Sequence, residues 1–152
     1  MTGLRCCMAG YAYGDVNCWE TAWNAYCGEV GTGDARRLMG ELQFWVRTLR
    51  AESARSIDLF PHGCSNVCRD ECMALSLIAA LQDHDEPTAY LAAHHLAGDI
   101  GEEPRRAVVA SGRSYAEMLA ASGQKLLSVP SSVVLAIAAH GSEFCPARAV
   151  LH

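Results

Sequence analysis

Charge is scarce in this chain. Asp, Glu, Lys and Arg make up 19% of its 152 residues, and the formal net charge is −5. The arginines are scattered, with Arg36-Arg37 and Arg105-Arg106 the only doublets. The basic face that a nucleic-acid binder presents is therefore missing. No stretch reaches the roughly 18 apolar residues of a membrane-spanning helix. The opening MTGLRCCMAGYAYGD lacks the apolar centre of a signal peptide. Neither nucleic acid nor a membrane is expected as a partner, and the expected location is cytoplasmic. Catalytic signatures are missing too. There is no Ser-His-Asp motif, HExxH or GxSxG, and no His has a Glu three residues before it, as a di-iron bundle needs. GEVGTGD contains GxxGxG, but no strand precedes it and no Lys follows, so it is not a phosphate loop. The absence of any CxxC pair argues against a zinc ribbon or a ferredoxin-type cluster. An enzyme of a recognisable kind is not expected.

What the chain does have is apolar residues at helical spacing, and cysteine. At 51% hydrophobic it is not disordered, and its length suits one domain, 1–152, with a real core. The patterning predicts an all-α bundle of about six to seven helices. Asp15 caps a helix through Cys27, followed by Gly28, with Trp19, Trp23, Tyr26 and Cys27 on one face. Asp34 caps a long helix to about Arg55, whose seam is Leu38, Leu42, Trp45 and Leu49. Pro87 opens a helix over Thr88–Ala97. Pro104 begins another to about Ser111, Ser114 to Glu117 is a capping box for a further one, and Val133–His140 is a short apolar helix. Residues 1–14, with Gly3, Gly10 and Gly14, read as an irregular arm carrying Cys6 and Cys7. The expected core is Trp19, Trp23, Leu38, Leu42, Trp45, Leu49, Leu75, Ile78, Leu91, Leu119 and Leu135. Ala-rich helices with short connections also fit a homo-oligomer, or an interaction module anchored by Trp19, Trp23 and Trp45.

Three of the eight cysteines, Cys64, Cys68 and Cys72, recur every fourth residue. On a helix that step is one turn plus about 40°, so the thiols form a row on one side. Ser65 and Asn66 are good N-caps, and Asp70 and Glu71 fall in the first turns. The row thus lies at a helix N-terminus, where unpaired N–H groups lower a thiol pKa. Cytoplasmic thiols stay reduced and favour metal binding over disulfides. A soft-metal site is expected, with Cys64, Cys68 and Cys72 as ligands and His62 beside them. One of Cys6, Cys7, His94 or His95 would be a further ligand, since a helical hairpin brings His94 and His95 toward the row. Thiols spread over about 12 Å of axis do not surround one tetrahedral ion. Cu(I), which asks only for a pair of soft ligands, therefore comes first, with zinc or an iron–sulfur cluster as alternatives. Three other readings remain open: thiol redox sensing or Cys-dependent catalysis with a nearby His, cysteines that pack as small hydrophobes, and, for a secreted protein, eight cysteines paired in four disulfides.

The run Cys64-Ser-Asn-Val-Cys68-Arg-Asp-Glu-Cys72-Met-Ala-Leu resembles one helix of the cysteine-rich four-helix-bundle copper-storage proteins. That family lines the inside of a bundle with CxxxC pairs that hold many Cu(I) ions. The likeness spans Gly63 to Gly98 and implies a small Cu(I) site on a related bundle. The neighbouring helix departs from the family pattern, with His94 and His95 in place of cysteines.

Overall fold

A computed structural model describes residues 1–140, and every regular element among them is helical. The six elements are α1 (Thr2–Tyr13), α2 (Val16–Glu52), α3 (Arg69–Gln82), α4 (Glu86–Ala97), α5 (Glu102–Ala121) and α6 (Ser131–Ala139). The all-α bundle predicted from periodicity is therefore present. Cys145 lies outside the described residues. None of the described helices is long and apolar enough to cross a membrane.

α1 stands where an irregular arm was expected. Its glycines are points of close approach rather than breaks. A Cβ on Gly3 would come 2.6 Å from Cε2 of Tyr26, and one on Gly10 would come 2.6 Å from Cε2 of Trp19. A glycine inside a helix costs about 1 kcal/mol relative to Ala. Here it lets two aromatic rings of α2 lie directly on α1. Gly14, at φ 68°, ends α1 in the left-handed conformation.

Asp15 starts α2 as expected, its carboxylate accepting from Asn17 N–H at 2.9 Å. The expected stop at Gly28 and fresh cap at Asp34 are replaced by one kinked helix. Only Gly31, at φ 80° and ψ 162°, leaves helical geometry. Beyond the kink, Leu38, Leu42, Trp45 and Leu49 form the buried seam that their spacing predicts. Trp45 stacks on Tyr115 of α5, with ring centroids 5.9 Å apart.

α5 is likewise one helix where two were expected. Gly112 continues it because α5 presses on the core there: a Cβ would meet Leu77 and Trp45 at 3.1 Å. The capping-box residues around Ser114 simply occupy helix interior. Ile78 joins the buried core, whereas Trp19, Trp23, Leu75, Leu91 and Leu119 are only partly buried at its margin. Leu135 is not core at all. α6 is mostly apolar but fully buries only Val134, with Ile137 and Ala138 partly buried against the core and Val133 and Leu135 exposed. α3 and α4 pack together through a short turn, and α6 lies against both.

Candidate metal-binding groove

The first turn of α3 is built on two carboxylates with almost no exposure. Arg5 of α1 reaches into it and spends all five of its N–H donors. Nε and one Nη2 proton go to Glu71, at 2.6 and 2.9 Å. The rest go to the carbonyls of Pro61, Cys64 and Asn66. Glu71 also accepts from Phe60 N–H at 3.0 Å and Cys68 N–H at 2.9 Å. Asp70 holds Arg55 (Nη1 to Oδ2, 2.8 Å) and Asp58 N–H (2.9 Å). Buried charges are tolerated only when paired and hydrogen-bonded in this way.

This knot decides where the helix begins, and it corrects the expected start at Ser65 or Asn66. Glu71 captures the N–H of Cys68, so Cys68 is the N-cap, in extended conformation at φ −88° and ψ 174°. Cys64 and Cys68 therefore precede α3, and only Cys72 lies within it. The three thiols do not form a row on one helix face. Segment 53–68, held by Arg5 and Arg55, is a fitted loop rather than a helical turn.

The loop, the start of α3, and α4 and α6 enclose a groove of about 830 Å³. It brings together four of the residues singled out from sequence: Cys68, Cys72, His94 and His95. It does not include the other four. His62 is exposed on the loop, and Cys64 is half-buried with its carbonyl on Arg5. Cys6 and Cys7 are closed into the core by α1. The groove also contains Arg55, Asp58, Asp70 and His140, which sequence reasoning did not select. None of the seven described cysteines is in a disulfide.

The thiols of Cys6, Cys7, Cys68 and Cys72 are not activated. Burial pushes Cys68 up to about 11 and Cys7 up to about 12, and it raises Cys6 and Cys72 as well. The lowered pKa expected at a helix N-terminus is absent for two reasons. Burial outweighs the helix end, and Glu71 repels the thiolate of Cys72. The Cys68 thiol also donates to the Asp58 carbonyl at 3.0 Å.

The imidazoles differ in availability. Burial, helped by His94 and Arg69, lowers the His95 pKa and favours its neutral form. His94 Nδ1 lies 3.2 Å from Nη2 of Arg105. A guanidinium only donates, so this nitrogen accepts and is already engaged. His140 is the reverse case. Its Nδ1–H donates to the Ala136 carbonyl at 2.7 Å, which leaves Nε2 with a lone pair. Among the described residues, no group of three or more His, Cys, Asp or Glu surrounds a point where one ion would sit.

The missed residues left faint signals. Asp70 and Glu71 look like ordinary first-turn acids, and nothing local says that they are buried. Arg5 acts across 66 residues of sequence, which no local pattern reports. Comparison with protein-family models, curated proteins and solved structures finds no match.

Proposed function

We propose that the groove binds one soft metal ion, Cu(I), with Cys72 as thiolate ligand and His95 as its imidazole partner. The observation that carries this reading is their convergence from neighbouring helices on one groove, with His95 favoured neutral. Two-coordinate Cu(I) needs only such a pair. His140, with Nε2 open, supplies a third donor on rearrangement of the groove wall. Zinc and iron–sulfur clusters ask for three or four ligands around one centre, an arrangement that the described residues do not pre-form. A catalytic or redox-sensing thiol needs a depressed pKa, and burial here acts the other way. Binding displaces the Cys72 proton, and it requires the reduced thiols of a cytoplasmic protein.

The test is anaerobic Cu(I) titration of the full chain in competition with bathocuproine disulfonate. The native protein is expected to retain one tight equivalent. Cys72→Ala loses it, His95→Ala weakens it, and Cys27→Ala leaves it unchanged, all with an undiminished helical spectrum. Undiminished Cu(I) retention in folded Cys72→Ala overturns the reading.

A further inference from the structure

A second hollow, away from the groove, opens between α1, α2, the middle of α3 and the end of α5. Its volume is about 340 Å³, within the roughly 300–1,000 Å³ of small-molecule sites. Its walls are largely apolar, with Leu4, Val30, Leu75, Ile78, Leu119 and Leu126 prominent.

Two polar groups face each other in this lining. The hydroxyls of Tyr26 and Tyr115 lie 2.6 Å apart in a hydrogen bond. Each phenol carries one proton, and one bond spends one of them. The other proton has no further partner among the described residues. The bond runs in either direction, and Tyr115 is 8% exposed while Tyr26 is half-buried, so the unspent donor has limited access to water on either ring. Leaving it unpaired is unfavourable, and the penalty is relieved by a guest that accepts it.

The pair is held in place by the structure around it. Gly3 leaves the space in which the Tyr26 ring lies. Trp45 stacks on Tyr115 from the side. Gln82 clamps the chain segment that closes the hollow, accepting from Leu126 N–H at 2.8 Å and donating to Gln124 O at 2.9 Å. Burial also raises both phenol pKa values, Tyr115 to about 12, so both remain neutral donors.

We propose that this hollow binds a small, largely apolar molecule carrying one neutral hydrogen-bond acceptor, a ketone-type carbonyl, with the Tyr26–Tyr115 hydroxyl pair donating to it. The apolar walls supply most of the affinity, and the phenol pair supplies the discrimination between a carbonyl and a hydrocarbon of the same shape.

The experiment uses the full chain and two probes, 2-acetonaphthone and 2-ethylnaphthalene, with affinity read by calorimetry or ligand-observed NMR. The ketone is expected to bind about tenfold more tightly than the hydrocarbon. The Tyr26→Phe/Tyr115→Phe variant lacks both phenol donors and is expected to bind both probes alike. Leu75→Trp, which fills the hollow from a half-buried position, is expected to exclude both while the helical spectrum persists. Three results would overturn the proposal: no binding of either probe to the native protein, equal binding of the two, or a ketone preference that survives loss of both hydroxyls. Because Leu75→Trp replaces no tyrosine, its outcome separates occupancy of the hollow from any folding defect of the double variant.

Discussion

The two ends of α3 are stabilised by different physics. Its first turn is wired by charge: Glu71 accepts four hydrogen bonds, and its partner Arg5 donates five. Its second half is packed by shape. Leu77 and Leu81 lie against Gly112 of α5, where a Cβ would sit tightly at 3.1 and 3.3 Å from them, and Gln82 adds only neutral hydrogen bonds. The contrast shows what each kind of contact does. Apolar packing is tolerant of direction and graded in strength. A buried ion pair has a net energy near zero against an apolar substitute, yet it is unforgiving when one partner is removed. The charged end therefore fixes where α3 starts and how loop 53–68 lies. The apolar end supplies burial.

Breaking the charged end should have the largest effect. Glu71→Ala leaves the Arg5 guanidinium buried without its counter-ion and is expected to cost about 3–5 kcal/mol. Urea unfolding followed by far-UV circular dichroism measures it. The double variant Arg5→Met/Glu71→Leu removes both charges and is expected to cost less than Glu71→Ala alone. If the double loss instead equals the sum of the single losses, the knot is not a coupled unit and the contrast between the two ends fails.

The apolar end should respond more mildly. Gln82→Ala removes hydrogen bonds to Gln124 O, Leu126 N–H and Ala116 O. It is expected to cost about 1–3 kcal/mol, and amide exchange of Leu126 should quicken before that of the helix core. A loss as large as that of Glu71→Ala would mean that the clamp, not the apolar packing, holds this end.

The same difference explains what was legible in the sequence. The seam of Leu38, Leu42, Trp45 and Leu49 is visible because burial of a helix face writes a period into the residues themselves. The α3–α4 hairpin, and with it the meeting of Cys68 and Cys72 with His94 and His95 at one groove, follows from a short loop between two helical runs. The start of α3 was not legible, since it depends on Arg5, a residue far away in sequence. Ser65 and Asn66 are better caps by local chemistry than Cys68, yet the knot overrides them. α1 was hidden by its glycines. Gly3 and Gly10 look like breakers until the rings of Tyr26 and Trp19 are seen lying on them. The thiol pKa was misjudged for a related reason: a helix terminus is a local signal, and burial is not.

The smallest expected effect is at the groove, where proton uptake links the two states of His95. Burial, His94 and Arg69 lower its pKa in the folded protein. The other charged groups lining the groove are Arg55, Asp58, Asp70 and Asp99. Above the ordinary His value of about 6.5 the ring is neutral whether the chain is folded or not, and it adds nothing to the pH dependence. As pH falls through that value the unfolded chain takes up the proton first, so stability declines with acid. His95→Gln should flatten this decline below about pH 6.5, read as the urea midpoint at each pH. Cu(I) should show the same direction more steeply. Under the proposed function each ion would displace the proton of the Cys72 thiol, whose pKa is raised, so apparent affinity is expected to rise about tenfold per pH unit across neutrality. Below the His value, competition at His95 should steepen the slope further. An affinity independent of pH would mean that the metal is held without a thiol proton to displace, and Cys72 would not be its ligand.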